Sequence, residues 1–134
     1  MSLDDITRRI RAAEAGVGRA PGSVTLIAVS KVQPEDRVRA VLDAGQRVFG
    51  ENYVQEAQAK WPELKVRYPK TRLHMIGPLQ GNKAKAAAAL FDAIHTLDRP
   101  SLATRMARLA DADGRQPALF VQVNTGAEPQ KAGV

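Results

Sequence analysis

The order of segments in this chain predicts an α/β fold built on a parallel sheet, either a (β/α) barrel or a doubly wound sheet. Three observations carry that expectation. Apolar segments alternate with segments of helical periodicity from residue 24 onward. The units repeat about every 22–25 residues, the length of one strand, crossover helix and return. No Gly-x-Gly-x-x-Gly follows the first strand and no Walker-type loop occurs, which weighs against dinucleotide and nucleoside triphosphate sites.

The elements follow in order. Leu3, Ile6, Ile10, Ala13 and Val17 lie at helical spacing, so residues 3–17 read as an amphipathic helix packed on the body of the domain. Ser2 and Asp5 form a short capping box at its start. Gly16, Gly18 and Pro21-Gly22 stop it. Residues 24–29, Val-Thr-Leu-Ile-Ala-Val, read as a buried strand. Pro34 opens a helix over about residues 34–44, with Glu35 and Asp36 in its first turn and Gly45 as its stop. Residues 46–49 form a short second strand. A helix over 52–60 is expected to end at Trp61-Pro62, where proline removes a donor. Residues 72–76 are the third strand. Asn82 is placed to cap an alanine-rich helix over 83–91. Residues 93–97 are the fourth strand, Asp98 is placed to cap the helix that begins at Pro100, and residues 118–123 are the fifth strand.

Composition sets outer bounds. Hydrophobic residues make up 44% and charged residues 25% of the 134, enough for one domain with a core. Cysteine is absent, so there is neither a disulfide framework nor a thiolate metal site. No apolar run approaches the ~20 residues needed to span a bilayer, and the first residues lack a secretory pattern, so a cytoplasmic location is the default. The net charge of +6 suits phosphate-bearing partners. The basic residues are dispersed over helix faces, and aromatics are only 4%, which ranks nucleic-acid binding last among the function classes.

On a parallel sheet the C-terminal strand ends share one rim, the usual place for ligands. Here that rim collects Ser30-Lys31, Gly50-Glu51-Asn52, His74 to Gly77, His95-Thr96 with Asp98, and Gln122 to Asn124. Lys31 is the most suggestive of these. A lysine at the end of an apolar strand can lose solvation, and an unprotonated amine forms Schiff bases. It also reads as a lysine that snorkels to water. His74, between Leu73 and Met75, reads first as a hydrogen-bonded core histidine and second as a general base, and His95 reads similarly. Neither has metal-site spacing. Glu51 and Asn52 either cap the next helix or meet a ligand. Trp61 packs at a helix end, and Asn124-Thr125-Gly126 reads as a turn.

Four ordered motifs give a more specific signal. Ala28-Val29-Ser30-Lys31, Phe49-Gly50-Glu51-Asn52-Tyr53-Val54-Gln55-Glu56, His74-Met75-Ile76-Gly77-Pro78-Leu79-Gln80-Gly81-Asn82-Lys83 and Gln122-Val123-Asn124 resemble the pyridoxal phosphate homeostasis proteins, small relatives of the alanine racemase barrel. Lys131-Ala132-Gly133 is similar to that family's Lys-Ser-Gly, with alanine in place of serine. The resemblance spans residue 3 to the last residue and implies one partial domain, 1–134. That domain would be the N-terminal five βα units of a TIM-type (β/α)8 barrel, preceded by a helix. It implies pyridoxal 5′-phosphate (PLP) as cofactor, Lys31 as its Schiff-base lysine, and Asn52, His74 and Ile76 on the cofactor side of the rim. It further implies a role in cofactor homeostasis or delivery to PLP-accepting apoenzymes, with no catalytic residue and no metal.

The alternatives are a PLP-dependent amino-acid racemase-like enzyme and, second, a basic fragment that binds nucleic acid. The family continues for about another hundred residues and holds the cofactor phosphate on loops after its last strands. PLP affinity is therefore expected to be poor unless another chain completes the site, and self-association could close the open barrel.

Overall fold

The computed structural model describes all 134 residues. Helix α1 (Leu3–Gly16) leads into β1 (Ala28–Val29), α2 (Glu35–Asp43), β2 (Val48–Glu51), α3 (Val54–Arg67), β3 (Arg72–Met75), α4 (Ala84–Leu90), β4 (Ala93–Leu97), α5 (Pro100–Asp113) and β5 (Ala118–Val121). The five strands form one sheet in the order β1-β2-β3-β4-β5, and every neighbouring pair is parallel. A strictly sequential order decides between the two predicted architectures. Each right-handed crossover steps the same way, so all crossover helices fall on one face. A doubly wound sheet reverses direction midway and covers both faces. The arrangement is therefore part of a barrel wall.

The core lies between that wall and its helices. Phe49, Leu73, Met75 and Ile94 from the strands meet Leu42, Trp61, Leu64, Ala87, Leu102 and Met106 from the helices, all essentially buried. Phe49 and Trp61 pack with ring centroids 4.9 Å apart. Because strand side chains alternate, Gly50, His74 and His95 belong to the opposite, concave face. That face is open along the flanking strands, where Val29 is 52% and Phe120 49% exposed.

Several expectations hold and several need correction. Ser2 and Asp5 do make the capping box of α1. The side chains expected to bury α1 do so only in part: Leu3, Ile6 and Ile10 are half-buried, while Ala13 and Val17 are exposed. The buried residue of α1 is Glu14. The expected buried strand 24–29 is paired only at Ala28–Val29, and Val24 and Thr25 are exposed. β1 has one neighbour and no cover on its concave side, so its apolar residues are half-exposed.

Helix α3 does not end at Trp61-Pro62 but runs through Pro62 to Arg67. An interior proline costs a helix ~3 kcal/mol. Burying Trp61 and Leu64 completely is worth about 1.5–3 kcal/mol each, which together matches or exceeds that cost. Two caps are also absent. Asn82 lies in a 3-10 turn (Gly81–Lys83) and makes no cap. Asp98 instead pairs with Arg99, whose guanidinium also donates to the Leu79 carbonyl. No helix is long and apolar enough to cross a membrane.

Candidate functional site

All five strands point the same way, so the predicted strand-end residues do converge on one rim. The rim is cross-tied at its centre. Gly77, just beyond β3, lies so close to the Asn52 backbone that a Cβ there would overlap it, with the Asn52 Cα at 2.7 Å. The Thr96 hydroxyl donates to the Gly77 carbonyl at 2.8 Å. The strand ends of β2, β3 and β4 therefore form one stiff unit that carries Asn52, Ile76 and Thr96.

Below this rim the concave face is layered. A Cβ on Gly50 would meet Ile76 Cδ1 at 2.8 Å and Ile27 Cγ2 at 3.0 Å, so glycine makes room there for two branched side chains, one just before β1 and one just after β3. Next to them His74 Nδ1 and His95 Nε2 are 2.8 Å apart, and the His95 ring stacks on Phe120 at 4.6 Å. Burial holds both imidazoles below the ordinary histidine range; at His74 a charge on His95 lowers it further. One ring donates and the other accepts, which requires the accepting nitrogen to be unprotonated. His74 is thus hydrogen-bonded, as its place in an apolar strand suggests, and its partner is the other histidine.

Lys31 lies two strands over from His74, at the tip of the turn that follows β1, and it is exposed. Of the two readings of Lys31, the structure matches the lysine that reaches water and not the one that loses solvation. β1 is a half-exposed edge strand and the chain turns outward straight after Ser30, so nothing covers the amine. Asn52 is half-buried and its side-chain oxygen is enclosed without a hydrogen-bond donor. It does not cap α3, which begins from Tyr53 without a side-chain bond. Beside it a cleft of about 330 Å³ runs between Tyr53, Pro78, Gln80 and Lys83.

Under the Lys31 turn sits a group of ions in which Glu51 has a third role, neither the helix cap nor the ligand contact that its sequence position suggests. Glu51 is wholly buried; the Ser30 hydroxyl donates to it at 2.7 Å and the Lys60 amine at 3.2 Å. Burial pushes the Glu51 carboxyl above its ordinary range, opposed by these two donors. Lys60 also donates to the Ser30 carbonyl at 2.9 Å and pairs with Glu56 at 3.7 Å. The signal in the sequence is the Glu56–Lys60 spacing of four on α3, which puts both on one helix face.

Beyond β5, Asn124 does more than mark a turn. Its amide donates to the Glu128 carbonyl at 2.8 Å and accepts from the Glu128 N–H at 3.1 Å, closing the loop that carries Lys131.

A family model described as "Alanine racemase, N-terminal domain" matches residues 1–134. The chain belongs to this family. It is 41% identical over 135 residues to the pyridoxal phosphate homeostasis protein of Vibrio alginolyticus and 40% identical over 136 residues to that of Escherichia coli K12. Each alignment covers 99% of this chain, against 58% and 57% of those proteins, so the chain spans a little over half the length of these relatives. Among solved structures it is similar to PipY of Synechococcus elongatus PCC7942 with PLP bound, at 42% identity and a TM-score of 0.79 over 96% of this chain and 58% of that one. A crystal structure of an unknown protein from Bifidobacterium adolescentis superposes with a TM-score of 0.88 at 34% identity. The chain therefore shares its racemase-type barrel wall with these solved relatives.

Proposed function

We propose that this chain provides the lysine-bearing part of a PLP site and serves homeostasis of that cofactor, holding and releasing it without a catalytic reaction of its own. The observation that carries this reading is Lys31: a primary amine, uncovered, at the C-terminal rim of a racemase-type barrel wall. The PLP-bound structure of PipY, 42% identical, supports it. The residues present fit the group. The rim has an accessible amine on Lys31, and Asn52, which lines the cleft beside it, holds an enclosed amide oxygen that lacks a donor. When bound, the cofactor supplies an aldehyde, which condenses with an unprotonated amine to give a Schiff base and one water. Lys31 is the amine in this reading. Asn52 hydrogen-bonds the ligand, and His74 and Ile76 line its approach from the concave face.

Exchange of the cofactor to other amines would serve PLP-accepting apoenzymes, and the same reading places the protein in the cytoplasm. The test is absorbance after addition of PLP, followed by borohydride reduction and peptide mapping. The reduced adduct is expected on Lys31 and is expected to vanish in Lys31→Ala. A folded wild-type protein with no adduct, or an unchanged adduct in the variant, overturns the assignment. Measurable racemization of alanine by the pure protein overturns the non-catalytic part and favours the racemase-like alternative.

A further inference from the structure

The turn that carries Lys31 has an unusual backbone. Ser30 to Gln33 close a β-turn through the Gln33 N–H and the Ser30 carbonyl at 3.2 Å, which places Lys31 and Val32 at its two central positions. Val32 has φ +59°. A left-handed residue at the second central position ordinarily calls for glycine, and a β-branched residue there is an outlier. The valine side chain offers no compensation through packing, since it is 73% exposed.

What holds the conformation is a carboxylate from the next helix. The Val32 N–H donates to both oxygens of Glu56, at 2.7 and 2.9 Å. The first corner of the turn is pinned from the same side: Ser30 donates its N–H to the Gly50 carbonyl at 3.0 Å, its hydroxyl to Glu51, and accepts from Lys60. Lys60, its side chain 10% exposed, bonds Ser30 and pairs with both Glu51 and Glu56. The two residues that flank Lys31 are thus fixed to β2 and α3, while Lys31 itself is left free.

We infer that Glu56 is a positioning residue for Lys31. Its carboxylate holds Val32 left-handed, and with the Glu51–Lys60 pair beneath Ser30 it sets the direction in which the Lys31 amine leaves the rim. The inference rests on the assignment of Lys31 as the cofactor amine. A strained residue beside a reactive side chain, stabilised by a charged group that has no other backbone partner, is the pattern by which a site is organised before its ligand arrives. Glu56 acts through the backbone, touches no ligand and is not a catalytic residue.

The experiment compares wild type, Glu56→Gln, Glu56→Ala, Val32→Gly and the double variant Val32→Gly/Glu56→Ala, each checked for folding by circular dichroism. Two quantities are read: hydrogen exchange at the Val32 amide without ligand, and the equilibrium for adduct formation with PLP, mapped to Lys31 after reduction. Exchange at Val32 is expected to quicken at least tenfold in Glu56→Ala. Adduct formation is expected to weaken about tenfold in Glu56→Ala and less in Glu56→Gln, whose amide oxygen still accepts one N–H. The deciding arm is the double variant. Glycine takes the left-handed conformation without help, so Val32→Gly should restore most of the lost binding, which a merely destabilised helix would not allow.

Adduct formation that is equal in wild type and Glu56→Ala overturns the positioning role and leaves the assignment of Lys31 standing. So does unchanged exchange at Val32, or a double variant as weak as Glu56→Ala. A wild-type protein that forms no adduct overturns the cofactor reading itself, and the positioning role with it.

Discussion

His74 and His95 show what a single side chain gains from its place on the concave face. Their contact at 2.8 Å works only while one facing nitrogen carries no proton. Both pKa values are lowered from the ordinary histidine value of 6.5, by burial and, at His74, by the charge on its neighbour. The unfolded chain therefore takes up protons first as pH falls below about 6.5, and stability drops with pH through the folded-state values. The stabilisation is fully present above the unfolded pKa and lost as pH falls through the lowered ones. Chemical denaturation between pH 7.5 and 5 should show this loss, and His95→Gln should flatten it at a cost of about 1 kcal/mol, the worth of one neutral hydrogen bond. An unchanged pH slope in that variant would count against the pair. The sequence indicated a hydrogen-bonded histidine in an apolar strand. It could not indicate the partner, because pairing across two strands depends on a register that no local pattern encodes.

At the scale of elements, α1 rests on an ion more than on its apolar stripe. Glu14 is buried and accepts from the Val24 N–H at 2.8 Å, the Gly22 N–H at 3.3 Å and the Arg11 guanidinium at 2.8 Å. The Val24 bond, with the Arg11 and Gly22 bonds adding to it against the burial penalty, lowers its pKa from 4.5 to about 2. Such a carboxylate stabilises the fold above about pH 4.5, and the contribution disappears as pH falls toward 2. Glu14→Gln is expected to lower Tm by a few degrees at pH 7 and to lessen the fall in stability between pH 4.5 and 2. An acid transition identical to wild type would refute the account. Helix periodicity did reveal α1, and the capping box fixed its start. Glu14 escaped notice because a carboxylate on a helix reads as a solvated face until the chain folds back over it. The same reasoning covers α3: Pro62 read locally is a stop, yet Trp61 and Leu64 are held on both sides of it by the core.

Taken whole, the molecule is a run of parallel strands with two unmatched edges. β1 and β5 each pair on one side only, and the exposed Val29, Phe120, Val121 and Val123 lie along or near those edges. The alternation of strands and helices was legible because each unit is local, and the rim residues followed from polarity at the strand ends. The open faces follow from number: a closed barrel of this type has eight strands, and this sheet has five. Unpaired N–H and C=O groups on an edge favour further strand pairing, and Val29 beside Lys31 would be covered by it. The 134-residue polypeptide by itself is therefore expected to self-associate. Sedimentation velocity from about 5 to 200 μM should show the weight-average sedimentation coefficient rising with concentration, and the PLP adduct should form more readily at the upper end, where edges are covered. A polypeptide that sediments as a monomer throughout this range and still forms the adduct tightly would show that the Lys31 rim needs no partner wall. It would also locate the affinity in the stiff unit of Asn52, Ile76 and Gly77 and in the pinned turn beside it.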